Sequence, residues 1–420
     1  MTTAVHSRIP GAIIGVTAGL REGAAWGLGA LLLVALPMLF RSDSSLAILS
    51  ISGIAVVFAL SYNILLGQTG MLSFGHAVFY GLGGFGTIHA MNLIADARLP
   101  IPLPVMPLIG GCIGLLSGAL LGALASKRGG IVFAMVTFGL GEMVSAAAPI
   151  LNRFFGGEQG VTTDRTALPH MLGLGFGPQL QIYYLIAAWC LLSAGAIRFI
   201  AGTAFGQIAR AARENPERIE FIGYGMRRVR FTAFCLASFF AGIAGALTAI
   251  NFEIMTVANL GAQQSTMVVL ATYIGGLDFF VGPIIGAVLV SVMQVSLSDV
   301  TGGWQLYLGL LFVLGVMYAP GGIAGLLLTS QPGERLRDRM APRRLVLLAP
   351  LLAIAAGGVL AIEMAYQLGL RSQDGTVRRL AGIPIDCASP FPWLVAAVLV
   401  VGGGAILRRA ASRAHPGSTR

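Results

Sequence analysis

The stretch SYNILLGQTGMLSFGHAVFYGLGGFG (61–86) sets Asn63, Gln68, Ser73 and His76 in otherwise apolar sequence. Amides, hydroxyls and an imidazole so placed can hydrogen-bond a small polar solute, or they can pair across neighbouring helices. A polar group buried with no partner costs about 1–3 kcal/mol, so one of the two must occur. For His76 the ordinary reading is a packed, hydrogen-bonded histidine. Gln263 and Gln264 place the same kind of group in the later half. Gly67 and Gly70 flank Gln68-Thr69, and Gly81, Gly83, Gly84 and Gly86 follow. Such a run makes either a tight turn between two helices or a break within the membrane. Broken backbone at membrane depth must be buried in protein or line a cavity, and half-helix N-termini favour anionic groups.

Two further segments could carry function. In 203–245 (TAFGQIARAARENPERIEFIGYGMRRVRFTAFCLASFFAGIAGAL) an amphipathic helix sets Ile208, Ala211 and Ala212 on one face. Arg210, Arg213, Glu214 and Glu217 surround it. Pro216 permits a helix start or a kink, and Gly223 and Gly225 interrupt the chain before Arg227, Arg228 and Arg230. A mixed-charge helix of this kind suits a soluble partner or a lipid surface; a plain topogenic basic loop is the competing reading. In 275–287 (GGLDFFVGPIIGA), Gly275, Gly276 and Gly282 punctuate an apolar run, with Asp278 in the turn. An Asp at the bilayer centre costs about 2.5–3.5 kcal/mol, which places it at the inner interface.

The elements that must position these groups follow from composition. Of 420 residues, 56% are hydrophobic and only 10% charged, with mean hydropathy +0.83. That leaves too little polar surface for a soluble globule and reads as an all-α polytopic membrane protein. The 58 glycines fit helices packed through small residues. Apolar runs predict about twelve spans: 24–40, 46–66, 71–94, 105–125, 131–150, 181–201, 231–251, 263–277, 282–298, 304–320, 345–362 and 391–407. The eighth and ninth are short enough to be one broken unit. With the N-terminus cytoplasmic, 20 of the 27 basic residues fall inside, as the positive-inside rule demands. Residues 1–328 read as one dense membrane core of about ten spans with an inner loop at 202–230. Residues 329–344 read as a linker, and 345–420 as a two-helix extension with a basic tail.

Several function classes drop out. There is no GxxxxGK[ST], so the chain holds no ATP by a P-loop of its own; no HExxH, CxxC or GxSxG supports hydrolysis. No basic run interleaves with aromatics, which excludes a nucleic-acid partner. Cys112, Cys190 and Cys235 lie within spans and only Cys387 in an outer loop, so no disulfide framework is expected. Glu142 lies within a span, but no chain of acids runs through several spans as in a proton-coupled carrier.

These segments carry a resemblance. YNILLGQTGMLSFGHAVFYGLGGF (62–85), GQIARAARENPERIEFIGY through FTAFCLASFFAGIAGAL (206–247) and GGLDFFVGPIIGA (275–287) resemble the LivM-type permease subunit of branched-chain amino acid ABC importers. The middle stretch is the most specific: Arg210, Arg213-Glu214-Asn215, Gly223, Phe234 and the run Ala241-Gly242-Ile243-Ala244-Gly245. The resemblance implies that the middle loop is a coupling helix seated on an ATPase subunit. It also implies a bacterial inner-membrane location, a sister permease, two ATPases and a periplasmic substrate-binding protein. No cofactor is implied on this chain; ATP and Mg²⁺ belong to the ATPases. Urea and short-chain amide permeases share the family and stand as alternatives to a branched-chain amino acid. Pro216 and Phe221 depart from the family pattern, and 329–420 lies beyond its usual length. A stand-alone ion-gradient carrier, using Glu142 or Asp278, is the competing mechanism.

Overall fold

The computed structural model describes residues 11–328 except 41, 128, 170–174, 299–300, 302 and 320. Beyond 328 it describes only 357–358, 360–362, 364, 377–380, 383–386, 393–399 and 401–402. The predicted linker at 329–344 and the basic tail therefore lie outside the described residues, as does most of the hairpin. The chain divides into two units, Met1–Val292 with Tyr318–Ala324 and Met293–Met317 with Gly325–Arg420.

The first unit carries the three segments of interest. In order it contains α1 (Gly11–Leu39), α2 (Asp43–Asn63), α3 (Ala77–Ala97), α4 (Met106–Ala125), α5 (Gly130–Ala147), α6 (Asn152–Phe155), α7 (Gln179–Gly202), α8 (Ala204–Glu214), α9 (Pro216–Phe221), α10 (Met226–Phe252) and α11 (Ala262–Gly275). The helix α12 (Gly282–Ser298) begins in it. Among the described residues six helical stretches are long and apolar enough to cross a membrane: Asp43–Gln68, Ala77–Ala97, Leu103–Ala125, Gly130–Ala147, Gln179–Gly202 and Met226–Phe252. The predicted spans at 263–277 and 282–298 become helices of 14 and 17 residues, below the ~20 a straight crossing needs.

The helix α10 lies at the centre, packed by α2, α3 and α4. Its small residues explain why. Lipid tails are as apolar as leucine, so helices in a membrane associate through close packing and hydrogen bonds rather than through the hydrophobic effect. Gly242 lies against the Gly110 carbonyl and the Cα of Gly114 on α4. Gly245 lies against the Tyr80 carbonyl and the Gly84 nitrogen on α3. Tyr80 and Thr248 then share a hydrogen bond of 2.6 Å across the α3–α10 seam. Large apolar side chains such as Leu116, Leu120 and Leu124 on α4 remain on the outside.

Opposite the α8–α9 loop, the segment between α5 and α7 folds over the end of α10. Its strand β1 (Val161–Thr162) pairs antiparallel with β2 (Ile254–Met255). Arg165 reaches the last carbonyls of α10, donating to Asn251 O at 3.2 Å, and also to Gly177 O at 3.0 Å. Its backbone N–H donates to Glu253 Oε1 at 3.0 Å. The Thr166 hydroxyl and amide both donate to Asp164 and hold that carboxyl below its ordinary value.

The second unit holds most of α13 (Trp304–Tyr318) and the end of α14 (Gly322–Leu328). The strands β3 (Val377–Leu380) and β4 (Ile383–Asp386) form an antiparallel pair in the predicted outer loop. Met364 and Ala396 are buried together against Leu360, Ala361 and Trp393.

Candidate functional site

The first segment breaks within its apolar run. After Asn63 the helix widens into a π-turn, Ile64–Gln68. The Thr69 hydroxyl donates to Leu65 O at 2.6 Å, and the amides of Gly70 and Met71 donate to Leu66 O and Leu65 O. Gly70 takes φ +67°, the left-handed conformation that favours glycine at a helix end. Residues 70–73 then run outside any helix, and α3 begins at Ala77. Both readings of the glycine run are therefore realised at once: a break, and a turn that reverses into the next helix. π-turns of this kind recur at functional sites.

All four polar groups of this segment are buried. His76 shares a 3.0 Å hydrogen bond with Ser61 Oγ through Nε2 and stacks on Phe58. Its Nδ1 has no partner. The hydroxyl of Tyr62 accepts from Ser73 N at 3.2 Å, while Ser73 Oγ has no partner. Asn63 Oδ1 and Gln68 Oε1 are also unpartnered. Gln263 and Gln264 sit in the first turn of α11, exposed and half-buried, and do not line the cavity that Asn63 and Gln68 line. Their neighbour Ser265 does meet the first segment: its Oγ accepts from Ala77 N at 2.9 Å and so caps α3.

The middle loop folds as two short helices. Ala209 and Ala212 of α8 are buried with Ile219, Met226 and Val229, while Phe205, Ile208 and Ala211 flank them. The buried stripe therefore runs through Ala209 as well as the predicted Ala212. Asn215 is the N-cap of α9, its side chain accepting from Arg218 N at 3.1 Å, with Pro216 in the first turn. Pro216 thus starts a helix rather than kinking one, because the first-turn N–H it lacks would have had no intrahelical partner. Gly223 follows with φ +98°. Phe221, Ile222 and Tyr224 project from the loop, Phe221 at 91% exposure. Glu217 is exposed in the first turn of α9.

The structure brings the three segments together at one residue. Arg213 donates to Gly67 O at 2.7 Å and to Asp278 Oδ1 at 3.1 Å. Arg210 donates instead to Ala201 O at 3.0 Å, holding α8 to the end of α7. Gly276 has φ +111°; a side chain at Gly275 would run into the Gly282 carbonyl, and one at Gly282 into the Gly276 carbonyl. That close turn presents Leu277 and Asp278 to the π-turn, where a side chain at Gly67 would meet Asn63 Oδ1 and, at 3.0 Å, Leu277 O. A cavity of about 500 Å³ opens here, lined by Asn63, Gln68, Arg210, Arg213, Glu214 and Asp278 among others. Sequence reasoning singled out Asp278 but not its meeting with Arg213, and it missed Arg198 as a lining residue. The signal for Asp278 was its place in a glycine-rich turn; for Arg198 there was only one basic residue at a span end.

Residues 44–321 match the family described as "Branched-chain amino acid transport system / permease component". The chain is 26% identical over 333 residues to the high-affinity branched-chain amino acid transport system permease protein LivM of Escherichia coli, covering 74% of this chain and 76% of that one. It is 23% identical to the probable branched-chain amino acid transport permease protein LivH of Methanocaldococcus jannaschii, over 65% and 89% of the two chains. It is 21% identical to the permease protein BraD of Pseudomonas aeruginosa, over 66% and 93%. No solved structure matches the chain.

Proposed function

Because the chain belongs to the branched-chain amino acid transport permease family, we propose that it lines the pathway for a branched-chain amino acid beside a sister permease. It is a multi-pass membrane transport subunit of an ABC importer and not an enzyme. The energy source is then a pair of separate ATPase subunits, with ATP and Mg²⁺ bound there. A binding protein on the far side delivers the solute. In this reading the α8–α9 loop faces the cytoplasm and the chain sits in a bacterial inner membrane, which the excess of basic residues on that side supports.

One observation carries this reading: the exposed α8–α9 loop is bonded, through Arg213, to both glycine-rich breaks of the membrane domain. A push on the loop from an ATPase would reach Gly67 and Asp278 through a single side chain. In this reading Arg210, Arg213, Glu214, Asn215, Glu217 and Gly223 shape the docking loop, and Phe221, Ile222 and Tyr224 supply its apolar contact. Asn63, Gln68, Ser73 and His76 belong to the pathway, with Gln263 and Gln264 in the later half. A gradient-driven carrier needs no such loop.

The test is affinity capture of the tagged chain in mild detergent, with mass spectrometry of what co-purifies. Two ATPases and a second permease support the proposal. A lone chain or a homodimer, reproducible across detergents, overturns it in favour of a gradient-driven carrier.

A further inference from the structure

A second cavity, of about 400 Å³, lies between α1 and the end of α7 that runs into α8. It is lined by Trp26 of α1 and by Gly195, Arg198, Phe199, Gly202 and Thr203. Nearer the start of α7, the Tyr183 hydroxyl donates to Leu33 O at 2.7 Å and ties the two helices together. At the cavity nothing of the kind fills the space. A side chain at Gly195 or Gly202 would meet no atom within 4 Å, and neither would one at Gly23 or Gly27 of α1. Along α10 glycine brings backbones into contact; here it leaves room. Trp26 is steadied from within the protein, its ring 6.3 Å from that of Phe280.

The wall narrows the chemistry of an occupant. Arg198 is the one charged group among the described lining residues, so no carboxylate there answers an ammonium. The wall suits an anion, and a guanidinium's planar fork of N–H donors matches phosphate oxygens. The rest is apolar and faces outward. Phe199 is 76% exposed, and Leu192, seven residues earlier on the same face of α7, is 62% exposed. Leu28 on α1 is 65% exposed. Side chains of this kind on a membrane helix meet acyl chains, and tryptophan sits at the level of the headgroups. Basic pockets between membrane helices take anionic lipid headgroups. Free phosphate would use Arg198 and leave Trp26 and Phe199 uncovered. An apolar helix would cover those rings and bring no negative charge.

We propose that this cavity seats the headgroup of an anionic phospholipid. The phosphodiester meets Arg198, the glycerol lies beside Trp26, and the acyl chains run along Phe199 and Leu192. The lipid fills the space between α1 and α7 at the end away from the Tyr183–Leu33 contact. In the permease reading above that end is cytoplasmic, so the lipid belongs to the inner leaflet; the binding itself does not depend on that reading.

The test is native mass spectrometry of the purified full-length chain in detergent, titrated with four probes. They are dioleoyl phosphatidylglycerol, dioleoyl phosphatidylcholine, dioleoylglycerol (no phosphate) and inorganic phosphate. Phosphatidylglycerol should bind about fivefold or more tightly than the other two lipids, and inorganic phosphate should leave no bound mass. Arg198→Gln removes the charge, and Gly195→Leu fills the cavity from a position with open space around it. Each should lower phosphatidylglycerol affinity to that of phosphatidylcholine, with the lipid-free unfolding midpoint unchanged. If Arg198→Gln does not fold, Gly195→Leu decides. Arg228→Gln removes the same charge from an exposed position in the first turn of α10 and should leave the affinity as in wild type. Equal binding of phosphatidylcholine or dioleoylglycerol overturns the anionic headgroup, and retention of inorganic phosphate alone overturns the lipid. Wild-type affinity in Gly195→Leu, or an equal loss in Arg228→Gln, overturns the location. Loss of the second permease from the captured complex in Gly195→Leu would give the groove to a protein neighbour instead. If no ATPase or second permease is captured at all while phosphatidylglycerol binds as expected, the permease reading falls and the lipid site stands.

Discussion

Arg213 on α8 and the carbonyl of Gly67 in the π-turn lie 146 residues apart in the chain and 2.7 Å apart in space. The same guanidinium holds Asp278 at 3.1 Å. One planar fork thus joins the loop to two separate breaks in the membrane domain.

Lysine cannot reproduce that fork, since its ammonium is a single point of charge. The ion pair is largely solvated, so its loss should cost stability only about 0–1 kcal/mol. Transport should suffer far more. Arg213→Ala is expected to cut ATP-driven uptake by roughly tenfold or more (~1.4 kcal/mol per tenfold), and Arg213→Lys by less. Membrane insertion and ATPase capture should be unchanged in both. Uptake measured on membranes matched for complex content decides it; wild-type uptake in Arg213→Ala would remove this residue from the coupling route.

The α10 seam makes a prediction about folding. A side chain at Gly242 would run into the Gly110 carbonyl, and one at Gly245 into the Tyr80 carbonyl. Backbone cannot step aside as a flexible side chain can, so overpacking should cost about 1–3 kcal/mol. Gly242→Val and Gly245→Val are expected to lower the unfolding midpoint and the yield of chain in the membrane. Gly195→Ala on α7, where no atom lies within 4 Å of the added carbon, is the control that should leave both unchanged.

Much of this was legible in the sequence, and the residues show where legibility ended. The break at Gly67–Gly70 could be placed because glycine and polar residues interrupt an apolar run, a local signal. The α8 amphipathicity was likewise local, although Ala209 was missed because alanine fits either face of a helix. The Arg213–Asp278 pair was not legible: two charged residues 65 apart carry no sign of their meeting. Ser265 was missed for the same reason. Gln264 beside it has the bulkier amide, but the small hydroxyl caps α3. The capping role of Arg165 also depends on a loop folding back over α10.

The loop between α5 and α7 supports a further prediction. Arg165 donates to Asn251 O and Gly177 O, and its own amide donates to Glu253 Oε1. It therefore caps the C-terminal end of α10, where a cation is favoured, and pins the loop at the same time. Arg165→Ala should release the loop while the α3–α4–α10 seam persists. Limited proteolysis of the detergent-solubilised chain should then cut within 156–169 several-fold faster than in wild type. An unchanged cleavage rate would mean that the β1–β2 pairing alone holds the loop.

Glu142 bears on which face of the permease meets its partner. It lies on α5, the least enclosed of the six long helices, with 22% of its apolar window buried. Glu142 is itself exposed, and beside it Gly139 opens onto empty space. A charged carboxylate facing lipid would cost about 2.5–3.5 kcal/mol near the bilayer centre. A sister permease of the kind proposed above, seated on this face, would remove that cost. Leu120 on α4 is also exposed, at 72%, and has no such reason to avoid lipid. A nitroxide label can compare the two sites in a background lacking Cys112, Cys190, Cys235 and Cys387. In the complete complex, Glu142→Cys should show several-fold lower accessibility to oxygen, which concentrates in lipid, than Leu120→Cys. The difference should narrow when the chain is reconstituted alone, because the covering partner is then gone. Equal accessibility in the complex would place α5 against lipid and assign the sister-permease contact to another helix.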